Sequence, residues 1–244
     1  MRGAGWVLMG TLVAGGCGGS EACADLGDEV LLTAQVTDNG EQTRVEVELR
    51  RGELGGKSIP VKLCEHDALW VDAVEMTRVK RPSGAVIYEA MLATSGAAMR
   101  TFALHSDDEV SEFTTTIDAP EFEITAPKPA SELSRAAALA IAWTPARGAD
   151  AKISVKLADE IDGDACLGPP LELEEPDDGE VVVAAAMVKL DKMMAPPDGA
   201  CEAFVTLSRD HICDLKPTMG SAVLHPESRV QATTSRTVAF ISVP

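Results

Sequence analysis

The sequence predicts an all-β protein built as two β-sandwiches in tandem. Three observations carry this. Apolar and polar residues alternate with period two in many short runs, the mark of half-buried strands. Turn signals separate the runs at short spacing, and no long amphipathic helix interrupts them, which is the pattern of a sandwich or barrel. The chain is 45% hydrophobic and 25% charged over 244 residues, the composition of a folded protein long enough for two domains. Aromatics are only 4%, so the core is expected to be Val, Leu, Ala and Ile.

The first half carries such runs at 30–36, 43–50, 59–63, 68–71, 74–79, 86–92, 101–104 and 112–117. In 43–50 the side chains of Val45, Val47 and Leu49 fall on one face. Asp38-Asn39-Gly40 before that run is a hairpin turn signal. Pro120, Pro127 and Pro129 punctuate the middle and place a domain boundary near 125. The expected units are a first sandwich over 27–124 and a second over 125–244.

In the second half, Ala138-Leu139-Ala140-Ile141-Ala142-Trp143-Thr144-Pro145 resembles the second strand of a fibronectin-III-like or immunoglobulin-like sandwich. The resemblance implies that Trp143 plugs the core. Further runs at 152–157, 181–190, 203–207, 230–233 and 237–243 bring the half to six, close to the seven strands such a sandwich needs.

The N-terminus places one Arg before a short apolar run and then small residues ending at Cys17, the order of a secretory signal. The run is too short to span a bilayer. Val13-Ala14-Gly15-Gly16-Cys17 resembles the lipobox of bacterial lipoproteins, with Ala14 where Leu is usual. The resemblance implies removal of 1–16, acylation of Cys17 and a lipid-anchored tether over 17–26. Two or three acyl chains hold a protein to a membrane where one barely does. Gly18 rather than Asp after the cysteine points, by the same resemblance, to the outer membrane.

Five further cysteines, Cys23, Cys64, Cys166, Cys201 and Cys213, would then lie in an oxidising compartment, where disulfides persist. Cys23 with Cys64 is the natural pair of the first half. Cys201 and Cys213 flank one expected strand and stand too far apart to bridge. That leaves Cys166 with Cys201 or with Cys213. Cys201 is preferred, because Cys166 follows one strand and Cys201 precedes a later one, and such ends meet in an antiparallel pair.

Signals for chemistry are weak. The sequence holds no nucleophile elbow, zincin motif or P-loop, and the four histidines stand apart. Cys64-Glu65-His66 and His211-Ile212-Cys213 have zinc-type donors but fall in different halves, so no metal and no cofactor are expected. Asp159, Asp162 and Asp164, in an acidic loop with Gly163, are the best calcium ligands on offer, in an order unlike an EF-hand. A second acidic loop, 174–180, ranks below it. The mature chain's aromatics all lie in or beside strand runs, where a core role is expected and none is left for a sugar platform. A net charge of −18 excludes the basic footprint that nucleic-acid binding needs.

Cys17, the Leu133-Ser134-Arg135 and Leu139–Pro145 stretches, and Ser235-Arg236-Thr237-Val238-Ala239-Phe240 together resemble secreted lipoproteins of the myxobacterial type with sandwich domains. These motifs are structural, so the resemblance implies an address and an architecture and brings no activity with it. The expectation is a non-catalytic envelope lipoprotein that meets the membrane through its anchor and a protein partner through loops and strand edges. The competing expectations are a calcium-stabilised adhesion module and an accessory subunit of an envelope enzyme.

Overall fold

The computed structural model describes residues 23–24, 29–52, 58–93, 99–106, 109–117, 121–159, 167–185, 187–188 and 199–244. Cys17, Asp162, Asp164 and Cys166 lie outside these residues, as does the side chain of Cys23. The fold is all-β, and there is no helix among the described residues.

The strands in chain order are β1 (Cys23–Ala24), β2 (Leu31–Asp38), β3 (Gln42–Arg51), β4 (Ile59–Pro60), β5 (Lys62–Leu63), β6 (Ala68–Val71), β7 (Val74–Glu75), β8 (Thr77–Lys80), β9 (Val86–Ala93), β10 (Met99–Ser106), β11 (Glu109–Thr116), β12 (Glu123–Ala126), β13 (Glu132–Ser134), β14 (Leu139–Thr144), β15 (Gly148–Asp159), β16 (Leu171–Asp177), β17 (Glu180–Val183), β18 (Cys201–Asp214), β19 (Lys216–Met219) and β20 (Arg229–Val243). One large sheet runs in the order β16-β15-β18-β20-β2-β3-β9-β8. A five-stranded sheet, β19-β11-β10-β6-β7, covers one part of it and a three-stranded sheet, β12-β14-β17, another.

Alternation along the strands explains the layers. Val45, Val47 and Leu49 of β3 turn inward as the sequence predicts, and meet Leu69 and Val71 of β6, Phe102 and Leu104 of β10 and Phe113 of β11 in a first core. A second core gathers Ile141 and Trp143 of β14 and Val183 of β17 against Ile153, Val155 and Leu157 of β15, Val205 and Leu207 of β18, and Phe240 of β20. Each core is filled from two sheets, which is how a sandwich buries its apolar faces. The Asp38-Asn39-Gly40 turn joins β2 to β3. Gly40 has φ +90°, its N–H donates to Asp38 Oδ1 at 2.8 Å, and Asn39 Oδ1 accepts from the N–H groups of Glu41 and Gln42.

One hairpin serves both cores. β18 and β20 pair antiparallel from Cys201↔Ser242 to Asp214↔Arg229 without a break. Their ends near 203–208 and 237–243 belong to the second core. Beyond Arg209 the ribbon passes into the first, where Val230, Ala232 and the half-buried Cys213 pack. β20 there continues as the parallel neighbour of β2, from Thr33↔Arg229 to Asp38↔Thr234. The connection between β18 and β20 crosses the end of the first sandwich. β19 pairs with β11 on one sheet, and Val30 on the other exchanges hydrogen bonds with Val223 and His225. Gly220, just past β19, runs so close to β11 that a Cβ there would clash with Ser111.

The structure departs from the sequence expectation at several strands. β20 is one strand where two runs, 230–233 and 237–243, were expected, because Thr234 and Arg236 take inward positions in a polar stretch between the cores. Part of the expected acidic loop 174–180 is extended, since β16 pairs along β15 from Leu157↔Leu171 to Lys152↔Pro176. Cys201 and Cys213 sit on the same strand, as their spacing requires.

Because the ribbon belongs to both cores, the two should melt together. Leu49→Ala in the first core and Leu207→Ala in the second are each expected to cost about 2–5 kcal/mol. Both should lower the midpoint of a single calorimetric transition. Two transitions, each moved by only one substitution, would show that the sandwiches unfold separately.

Candidate functional site

Clusters of polar side chains on the described surface include three that a ligand or a reaction could use. The first lies on the outer face of β15, β16 and β18, where strand parity turns Ser154, Glu174, Ser208 and Asp210 toward one groove with Arg147, Asp150 and Lys152; His211, of the opposite parity on β18, also lines it. It brings a histidine, hydroxyls and carboxylates together, the constellation a hydrolase would need. Its groups are engaged in other bonds. Arg147 Nη1 donates to His211 Nε2 and stands 3.3 Å from Nδ1, which holds the imidazole as an acceptor. Ser208 Oγ bonds Ser235 Oγ at 2.7 Å, and Thr233 Oγ1 donates to Asp210 Oδ1 at 2.5 Å.

A second cleft opens at the edge of the first sandwich, lined by Glu65, Asp67, Glu75, Thr77, Arg78 and Tyr88 among others. Its bonds pin the 63–67 turn to the sheet. Tyr88 Oη accepts from Leu63 N–H at 2.7 Å, Arg78 Nη2 donates to the Leu63 carbonyl at 2.8 Å, and Asp67 Oδ2 accepts from Cys64 N–H at 3.2 Å. The Arg78 guanidinium stands 5.8 Å from the Tyr88 ring centre. Burial raises the Tyr88 pKa above its ordinary 10.0, against the opposing pull of the Leu63 N–H and Arg78.

The third cluster is Trp70 with His105 on the outer face of β6 and β10. The rings stack with centres 5.2 Å apart. Trp70 was expected in the core. It is half-buried on the opposite face, between Leu69 and Val71, which take the inward positions. Phe204 likewise faces outward, half-buried, between Ala203 and Val205. The indole N–H of Trp70 is buried and finds no hydrogen-bond partner among the described residues.

The residues singled out in sequence are placed as follows. Cys64 and Cys201 are disulfide-bonded, and Cys213 lies outside any disulfide. Their expected partners, Cys23 and Cys166, lie outside the described side chains, although β1 runs parallel to β5 with Cys23 opposite Lys62, close to Cys64. Asp159 accepts the Leu167 N–H through Oδ2, which occupies the one described carboxylate of the calcium candidates. No group of three or more His, Cys, Asp or Glu fit to hold a metal occurs among the described residues.

Sequence reasoning missed the most buried polar cluster. Asp177 at the end of β16 and Arg209 of β18 are both fully buried. Arg209 Nη2 donates to Asp177 Oδ1 at 2.9 Å and to the Pro145 carbonyl at 2.6 Å, while Nε stands 2.7 Å from Asp177 Oδ2. Trp143 Nε1 donates to the same Oδ1 at 2.7 Å. The Arg209 guanidinium lies 4.4 Å from the centre of the Phe122 ring. Parity could have found it, since Arg209 follows Ala203, Val205 and Leu207 on the inward side of β18. With all these bonds internal, the cluster is a structural lock. No family model matches the chain, and no curated protein matches it.

Two predictions follow from this geometry. Arg209→Met leaves a buried carboxylate without its counter-charge and should cost about 3–5 kcal/mol in urea unfolding. Adding Asp177→Asn removes that charge, keeps an acceptor for Trp143, and should recover most of the loss. Tyr88 is favoured in its neutral form, so its contribution is full below pH 10 and falls as pH rises through the folded value. Tyr88→Phe should flatten that alkaline loss of stability.

Proposed function

We propose that the protein is a non-catalytic lipoprotein of a bacterial cell envelope, a binding or structural module of the myxobacterial type held to the outer membrane through acyl chains on Cys17. The observation that carries this reading is Val13-Ala14-Gly15-Gly16-Cys17 placed after a short apolar run and just before a short tether and an all-β body. The groove around His211 supports the non-catalytic part, since Arg147 holds His211, Ser235 holds Ser208 and Thr233 holds Asp210.

The second core reads as an immunoglobulin-like or fibronectin-III-like sandwich. β12, β14 and β17 take the places of A, B and E, and β16, β15, β18 and β20 those of C′, C, F and G. Trp143 lies in the core on the B position, where that resemblance asks for it. β13 runs parallel to β20 and seals the sandwich at the C-terminus, with Arg135 Nη1 on the Ser242 carbonyl at 2.7 Å. The first core reads as a second module of the tandem. We assign disulfides Cys23–Cys64 and Cys166–Cys201, which suit an oxidising compartment.

The anchor is tested by expressing the full chain in a Gram-negative host and comparing it with Cys17→Ser. The wild type should partition into detergent and yield an N-terminal peptide that begins at residue 17 and carries acyl mass. The variant should stay aqueous. Equal partition of the two, without acyl mass, would remove the anchor.

A further inference from the structure

We infer that the open edge of β17 is a docking site for an extended, basic segment of a partner protein, added as a further strand to the β12-β14-β17 sheet. The inference rests on the binding-module part of the reading above and is independent of the acyl anchor.

A sheet edge displays unpaired N–H and C=O groups, and proteins blunt such edges with charge, proline, brevity or cover. Several of the other described edges carry more than one of these features. β8 carries Arg78 and Lys80, β16 carries Glu172, Glu174, Glu175 and Pro176, β19 carries Lys216 and Pro217, and β7 is two residues long. β12 ends where Pro127 follows it. β17 reads Glu-Val-Val-Val, as short as β8, β12 and β19 but with one charge, no Lys, Arg or Pro and three β-branched residues in a row, and it stands last in its sheet among the described strands.

The register shows which groups β17 offers. It pairs antiparallel with β14 through Leu139↔Val183, Ala140↔Val182, Ile141↔Val181 and Ala142↔Glu180. Continuing the register, Trp143 N–H donates to the Gly179 carbonyl at 2.9 Å. Hydrogen-bonded pairs alternate in an antiparallel ladder, so Gly179, Val181 and Val183 bond toward β14. Glu180 and Val182 therefore aim their N–H and C=O groups at the open edge. The side chains follow the same parity. Val183 is buried, while Val182 is 63% exposed.

Charge selects the occupant. The edge begins at the exposed carboxylates of Asp178 and Glu180, on a chain of net charge −18. A second copy would bring like charge to like charge. A strand carrying Lys or Arg opposite Glu180 gains a cross-strand pair, and β-branched residues beside Val182 extend the apolar face.

The test uses the full chain in detergent and two synthetic peptides that alternate valine with lysine or valine with glutamate. The lysine peptide should bind, weaken with salt, and slow hydrogen exchange at the amides of Glu180 and Val182. The glutamate peptide should not bind. Val182→Pro removes an outward N–H that β14 does not use, so the fold should keep its melting temperature while peptide affinity drops about tenfold or more. Val182→Thr keeps the donor and should keep binding. Cys17→Ser should bind as the wild type does, which separates this site from the anchor.

Three results would overturn the proposal. One is slow exchange of the Val182 amide in the protein alone, which would mean the edge is already covered. Another is unchanged peptide affinity in Val182→Pro. The last is a concentration-dependent dimer that Val182→Pro abolishes, which would make a second copy the occupant.

Discussion

The arrangement of both cores turns on how the β18–β20 ribbon crosses from one to the other. At the crossing, apolar inward residues give way to Arg209 on one strand and Arg236 on the other. Both guanidiniums face the buried ring of Phe122, at 4.4 and 5.8 Å from its centre. Their counter-charges come from opposite halves of the chain. Asp177 meets Arg209 from the second core, and Asp38 meets Arg236 at 3.0 Å from the end of β2 in the first. A buried guanidinium is tolerable only when its donors and charge are met together, and here carboxylate, carbonyl and aromatic face meet them. Such a pair adds little net stability over an apolar pair of equal volume. Its value is in register. A slip of one residue along the ribbon would turn Arg209 to solvent and leave Asp177 buried with its charge unmatched.

The alternation that marks strands in sequence is legible wherever one face is apolar, as at Val45, Val47 and Leu49. It fades where inward positions turn polar, which is why 234–236 reads as a break in β20 although hydrogen bonding to β18 runs straight through it. β16 is hidden for the opposite reason. As an edge strand it has a backbone partner on one side only, and its carboxylates read as a solvated loop. Trp70 shows the limit of composition. A large aromatic in a four-residue strand is assigned to the core by habit, yet Leu69 and Val71 on either side fix the parity that turns it outward. The buried pair was missed because Asp177 follows Glu174 and Glu175 in a run that looks soluble. Only the fold brings Arg209 to it, 32 residues away in sequence.

The same ribbon sets what a tethered molecule can present. Cys23 and β1 belong to the first sandwich, so a lipid anchor at Cys17 would hold that end near the membrane. β18 has fourteen residues, which at strand rise is a length of about 45 Å. The second core lies along the far part of that length, and β17 runs from the Asp177–Arg209 lock toward the C-terminal end. Because both strands of the ribbon are shared, the two cores have no simple hinge between them, and the lock holds the junction by bonds that a hinge would have to break. An edge strand on a rigid arm loses less orientational freedom on binding than one on a jointed arm, which lowers the entropic cost of docking an extended partner. The net charge of −18 acts in the same direction, since repulsion from an anionic surface would keep the arm off the membrane and leave the edge accessible.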